Sequence, residues 1–444
     1  MTADLSARSG PDARATGLRL GALFGPAVFG VTAAGVALPD ISADLGSAPS
    51  LTVWVLTAHA LALGIGTALF GRLSDSLGGR TALTVGGLLL AAGTALCLAA
   101  PGMGVLVTGR LLLASGSGAM SATALGLLGS VRPDQRATVL AVFGGALAVF
   151  SACATLAGGL VTELVSWRIT VTLPALSLLA APWCLRLAGR TGSGRSVDPL
   201  GAGCLATCAA SLLVLLQAPV LALPVWAVAL VAALSVIAGG ATAWNVRRVP
   251  EGFVPRRLVT DRAFLLASAV GGCAYAGLFA AMYAVPQILV GTHGWDVLDV
   301  GLWLLPGAVA GGVLSRVAGR LVASGGARLV AGTTAAAFGA VLAAGAVGSG
   351  PALPVIGASL GFAAFSTVQV VVTGIMTLRL PPTERGGGLG LLNLAFFVSG
   401  GVGSALVGAL AASVGPAAAL AAVAALPLMG GALTFLLPAP PRRT

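Results

Sequence analysis

The chain has 444 residues, 57% of them hydrophobic and only 8% charged, against roughly 25% charged in an ordinary water-soluble domain. That balance, with 65 glycines, excludes a soluble globular protein and points to a bundle of membrane helices, where small residues let helices approach closely. All 24 basic residues are arginine and only His59 and His293 are histidine, which removes the Walker A lysine, Schiff-base chemistry and a two-histidine zinc helix; no GxSxG elbow occurs, so no ATPase or enzyme is expected.

Apolar runs of roughly 18 to 25 residues, ended by Arg, Asp, Pro or Gly clusters, each suit one bilayer crossing. They fall near 17–39, 51–70, 81–100, 105–128, 137–163, 168–186 and 200–217, then 222–243, 263–290, 297–318, 329–347, 352–378, 388–412 and 416–437. These fourteen spans predict an all-α integral membrane protein. The expected divisions are an N-tail (1–16), a six-helix half (17–186), a linker with two extra transmembrane helices (187–262), a second six-helix half (263–437) and a C-tail (438–444). The first span is too long and too far from the start for a signal peptide's apolar region, so it is expected to be retained.

An even number of spans puts both termini on one side, and arginine accumulates in cytoplasmic loops. With both ends inside, the tails and inner loops hold 22 of the 24 arginines, beginning with Arg8, Arg14 and Arg19 and leaving only Arg110 and Arg168 elsewhere. The net charge of +11 therefore reads as a topology signal facing an anionic inner leaflet, with no nucleic-acid partner. The tryptophans Trp54, Trp167, Trp183, Trp226, Trp244, Trp295 and Trp303 all fall near span ends, where indoles prefer to lie. The six cysteines sit in apolar stretches without metal-type spacing and are expected to be buried thiols; no metal site is expected.

The chain repeats itself. GRLSDSLGGR at 71–80 matches GRLVASGGAR at 319–328 in six of ten positions at an offset of 248, and Pro133–Arg136 corresponds to Pro382–Arg385 at 249. Two parallel six-span halves with an inserted pair explain both matches, and such halves enclose a central site that opens alternately to each side.

Together these features resemble the major facilitator superfamily, in particular its fourteen-span drug/proton antiporter branch. The loop with Gly71, Asp75, Gly78 and Arg80 resembles the signature between spans 2 and 3; its glycines permit a tight turn, and Asp75 can meet Arg80 or Arg136, or cap a helix start, as a conformational latch. Val36–Pro39 and Trp54–Ala58 resemble the branch's span 1 and span 2 motifs. Arg110 with Ala114–Gly118 resembles its span 4 motif, although Leu113 stands where glutamine is common. Ala154–Gly159 resembles the antiporter motif, with Ala154 and Thr155 replacing its Gly-Pro pair. Ser151, Thr155 and Gly159, with Gly158 beside them, form a small-xxx-small face suited to a close helix contact. Ser166–Arg168, Val197–Gly201 and Pro382–Gly386 with Gly390–Asn393 resemble the outer loop, the start of the inserted pair and the opening of span 13.

The usual intramembrane carboxylate of span 1 is missing: Gly30 stands in its place, and Gly35 replaces a common Asn. All thirteen acidic residues lie in loops, tails or span ends. The mid-span group that titrates near neutral pH is His59, about 12 Å into span 2 at 1.5 Å per residue. It either replaces the missing carboxylate, or binds substrate, or is a neutral histidine bonded between helices. Arg110 lines a cavity or pairs with a partner, or else snorkels to the outer face. Gln217, Gln287, Gln369 and Asn393 can orient a ligand or join helices, with Tyr275 and Tyr283 contributing to an apolar pocket. A cavity with Arg110 and no fixed negative charge favours neutral or weakly anionic hydrophobic compounds.

The resemblance implies a multi-pass exporter of drugs or antibiotics in a prokaryotic-type cytoplasmic membrane, with no cofactor, a proton gradient as energy source, and a monomer as the working unit. An uncoupled facilitator or importer of the same fold, and a transport-inactive membrane sensor, remain as alternatives.

Overall fold

The structure is a computed structural model that describes residues 12–47, 49–189, 191–194, 197–219, 221–322, 325–345, 350–381 and 384–438. Arg8, Arg190, Arg195, Pro382, Thr383, Arg442 and Arg443 lie outside the described residues. Fourteen helices are long and apolar enough to cross a membrane, as the hydropathy runs predict. They are α1 (Ala13–Val36), α2 (Pro49–Leu77), α3 (Gly79–Leu98), α4 (Met103–Ser130), α5 (Arg136–Leu164), α6 (Trp167–Leu187) and α7 (Pro199–Leu216). The second seven are α8 (Val225–Arg248), α9 (Arg262–His293), α10 (Val297–Leu321), α11 (Ala327–Ala344), α12 (Ala352–Arg379), α13 (Arg385–Val414) and α14 (Pro416–Thr434).

Packing follows the repeat. In the first half α2 and α3 pack against α4, and α1 packs against α5; in the second half α10 and α11 pack against α12, and α9 against α13. The halves meet through α2 with α13 and through α10 with α5. These two pairings exchange when each helix is replaced by the one eight positions along the series, as a pseudo-two-fold axis between parallel repeats requires. Small residues make the contacts: a Cβ on Gly116 or Gly93 would press into the α3 or α4 backbone, and one on Gly118 would lie 2.7 Å from the Leu63 carbonyl oxygen.

The inserted pair stands outside this symmetry. α7 packs on α8 and against both α13 and α2, straddling the seam between halves, with Leu213 and Ala209 meeting Leu61 of α2 and Val398 of α13. α8 is almost wholly outward-facing, as Val225, Trp226, Val236 and Ile237 show, which an all-apolar helix tolerates only in lipid.

Three sequence expectations change. The 71–80 segment is not a loop: α2 continues through Leu77, and the break comes only at Gly78, whose φ of 93° is a left-handed value that glycine adopts without strain. Gly71 and Asp75 therefore project from the last two turns of a helix. Of the six cysteines only Cys97, Cys184 and Cys273 are buried; Cys204 and Cys208 on α7 are half-buried and Cys153 on α5 is exposed, on outward helix faces where an apolar thiol costs little in lipid. Finally, α1 is interrupted by a 3₁₀ stretch, Gly25–Gly30, entered at Pro26, and α6 by another, Leu173–Leu176, containing Pro174.

Candidate functional site

Arg110, on the second turn of α4, is fully buried. It does not snorkel. Its Nε donates to the Val55 carbonyl of α2 at 3.2 Å, one terminal nitrogen to the Val171 carbonyl of α6 at 2.7 Å, and the other to the Gly30 carbonyl of α1. One guanidinium thus ties four helices of the first half through main-chain oxygens, a use of its planar donor fork that an ammonium cannot reproduce. The interruptions of α1 and α6 help to supply these acceptors. In a 3₁₀ register the donor to Val171 O would be residue 174, a proline with no N–H.

His59 lies one turn along α2 from Val55, is fully buried, and has no hydrogen-bond partner for either ring nitrogen among the described residues. Its imidazole occupies the space that a side chain on Gly30 would fill: a Cβ there would collide with Nε2, Cε1 and Cδ2. Gly30 and His59 are therefore one feature. Between them in the same turn, Thr57 Oγ1 accepts from Nε2 of Gln217, at the C-terminal end of α7, at 2.7 Å, while Gln217 Oε1 is unpaired among the described residues. The inserted pair is thereby fastened beside His59, a link the sequence did not announce.

At the repeat offset of 248 to 249, positions 59 and 110 correspond to Gly307 and Ser359. These two touch each other, since a Cβ on Gly307 would press on Ser359. The second half has no charge at either position. Its polar centre is elsewhere: Tyr275 Oη donates to Gln369 Oε1 at 2.7 Å, and Gln369 Nε2 donates to Asn393 Oδ1 at 3.4 Å and to Thr373 Oγ1 at 3.3 Å. Phe365, Phe396 and Phe397 pack on the Tyr275 ring with centroids 4.7, 5.1 and 5.3 Å away. Gln287 is apart from both centres, exposed, with its amide returned to the Tyr283 carbonyl at 3.0 Å.

On α5, the Gly158 face abuts the Ala33 backbone of α1, and Gly301 of α10 approaches Thr155 and Leu156. The outer part of α5 is thus clasped between its own half and the other, with Ser151 Oγ and Thr155 Oγ1 buried and unpaired among the described residues. Nearby, Asp44 accepts from Arg168 at 2.7 Å and from Trp167 Nε1 at 3.0 Å, and Arg168 lies 4.2 Å over the Trp167 ring. These hydrogen bonds, that of Arg168 first, hold the Asp44 carboxyl below the usual carboxylate range.

At the arginine-rich face the halves are cross-tied. Asp75 accepts from the Gly387 N–H at 2.7 Å in the first turn of α13, the helix-start option among its three expected partners, where a carboxylate meets free N–H groups and the positive end of the dipole. Arg80 is exposed, and Arg136 turns back to the Val131 carbonyl at 3.2 Å. A Cβ on Gly71 would strike the Gly386 carbonyl, so α2 and α13 touch backbone to backbone. Arg385 donates to the Gly129 carbonyl of α4 at 2.7 Å, Arg257 pairs with Glu384, and Arg72 donates to the Gly252 carbonyl at 2.7 Å and to that of Phe253 at 3.1 Å. The second repeat copy has Ala323 where the first has Asp75, so only one copy carries an acid. Asp75→Asn should loosen this face, and Gly71→Val should force it apart. The expected result is faster alkylation of a cysteine introduced at Gly129, modest for the first variant and large for the second.

Residues 20–245 and 267–444 match the family model described as Major Facilitator Superfamily. The chain belongs to that superfamily. Among curated relatives of this major facilitator, the puromycin resistance protein pur8 of Streptomyces alboniger is 30% identical over 85% of the chain and 77% of its own length. The multidrug transporter protein MdtP of Bacillus subtilis is 28% identical over 69% of the chain, which spans 57% of MdtP. The multidrug resistance protein Stp of Mycobacterium tuberculosis is 24% identical over 90% of the chain and 75% of Stp. Among solved structures, the human organic anion transporter MFSD10 superposes with a TM-score of 0.63 at 15% identity, covering 95% of this chain and 98% of that one, a likeness of fold. The protein is a multi-pass membrane transporter.

Proposed function

We propose that this major facilitator exports small hydrophobic organic compounds, neutral or weakly anionic, by proton antiport across a cytoplasmic membrane, with its termini and arginine-rich face inside. His59 is the proton-exchange group. The observation that carries the reading is its position: a buried imidazole without a hydrogen-bond partner among the described residues, packed in the space of Gly30 beside the Arg110 guanidinium. A proton on His59 would add a second positive charge to this dry site, with no carboxylate there among the described residues to offset it. Water entry, or separation of α1 from α2, must therefore accompany protonation, and proton uptake is tied to conformation. The fixed charge of Arg110 disfavours lipophilic cations for the same reason. The relatives named for puromycin and multidrug resistance support drug-like cargo.

The test is efflux of neutral, anionic and cationic compounds from proteoliposomes, with and without an imposed proton gradient, comparing wild type with His59→Gln. The expected result is gradient-driven efflux of neutral and anionic compounds, lost in the variant while gradient-independent exchange persists. Movement indifferent to the gradient would make the protein a facilitator and leave His59 structural, a reading favoured by the absence of a mid-span carboxylate.

A further inference from the structure

A cavity lies away from the central contacts, between the inserted pair and the second half, with a volume of about 720 Å³. That is within the roughly 300–1,000 Å³ of small-molecule sites. Leu205 and Cys208 of α7, Val246 of α8, Phe264 of α9, and Leu394 and Val398 of α13 give it apolar walls. Its lining also includes two cations, Arg247 in the last turn of α8 and Arg256, the first residue of a short helix, Arg256–Thr260, that precedes α9.

The charge of these two arginines is uncommitted. Both guanidinium groups are exposed, and neither has an ion pair or side-chain hydrogen bond with another described residue. The neighbouring groups are already engaged. Glu384 pairs with Arg257, Asp198 caps α7 and accepts from the Phe253 N–H at 3.1 Å, Asp261 caps α9 through the Ala263 N–H at 2.8 Å, and Arg248 stacks 4.6 Å over Trp244. Trp244 is half-exposed, at the depth where indoles mark the boundary between acyl chains and headgroups. An apolar slot at acyl depth with two free cations at headgroup depth has the chemistry of an anionic phospholipid.

We propose that the cavity holds one acyl chain of an anionic phospholipid from the arginine-rich leaflet, with its phosphate between Arg247 and Arg256. The lipid completes the contact between the inserted pair and the second half. α7 straddles the seam along which the halves separate, so the wedge keeps the pair joined to the second half as α2 and α13 move apart. This inference is independent of what the protein transports.

The experiment uses the full chain in phosphatidylcholine vesicles containing a trace of phosphatidylglycerol or phosphatidylcholine with a diazirine in one acyl chain, the cross-links being located by peptide mass spectrometry. The phosphatidylglycerol probe should label segments 205–212, 242–246 and 391–398 in preference to the phosphatidylcholine probe by roughly thirtyfold, the expected contribution of two surface arginines. R247Q/R256Q, both changes being at exposed positions, should remove the preference, and Ala395→Trp, which fills the slot, should remove the labelling; Arg132→Gln in another loop should change neither. Equal labelling by both probes, label spread over all outward helix faces, or a preference surviving in R247Q/R256Q would overturn the proposal. Displacement of the phosphatidylglycerol probe by a transported hydrophobic compound would also overturn it, making the slot a substrate portal.

Discussion

Arg110→Met should unfasten the first half: a lower melting temperature in detergent by many degrees and no transport. The carbonyls of Gly30, Val55 and Val171 would each lose a charged donor in a fully buried site. Buried acceptors left in that condition cost about 1–3 kcal/mol each. Arg110→Lys keeps the charge but offers a compact ammonium on a stem that cannot reach three carbonyls on three helices. It should fall between the two in stability while preserving the discrimination against cationic compounds. That split separates two roles of Arg110, as the tie of α1, α2, α4 and α6 and as the source of a positive field. An unchanged melting temperature in Arg110→Met would show that the three bonds hold nothing together.

The second large effect is expected from the smallest substitution. Gly30→Ala adds one methyl where the fully buried His59 imidazole lies, so the ring or the 3₁₀ turn of α1 must shift. Overpacking of this kind costs about 1–3 kcal/mol, and here it also disturbs the Gly30 carbonyl that Arg110 holds. Gly30→Ala/His59→Ala removes the obstruction. The double variant should regain most of the lost stability, a coupling of about 0.5–3 kcal/mol between residues in contact, yet should remain without gradient-driven efflux. Thermal unfolding of the four proteins of the cycle checks the first part, and the proteoliposome assay the second. Additive losses would mean that the ring and the glycine do not share one space.

This pair also shows where reading along the chain stops. The missing acid at position 30 and the histidine at position 59 are each visible in the sequence, but their contact is not. Only the crossing of α1 and α2 turns two separate departures from the family pattern into one exchange of a side chain for a space. The same holds for Asp75. Its spacing suits a salt bridge to Arg80 or Arg136 as well as a helix cap, and the choice falls to the Gly387 N–H because α13 begins directly opposite, against Gly71.

Composition and hydropathy by themselves determined the fourteen crossings, because a bilayer admits only helices that satisfy their own backbone and are apolar over its full thickness. The internal repeat determined that the crossings form two parallel halves. The tertiary structure decided how those crossings use their polar residues. Main-chain carbonyls carry no sequence signal, so nothing in the chain's order could show that Arg110 is held by three of them rather than by a carboxylate. Nor could it show that α7, which looks like a mere linker, is fastened beside His59 through Gln217 and Thr57. Each is a contact between segments far apart in sequence, fixed by where α2 passes its neighbours, and a periodicity read within one helix holds no record of the crossing.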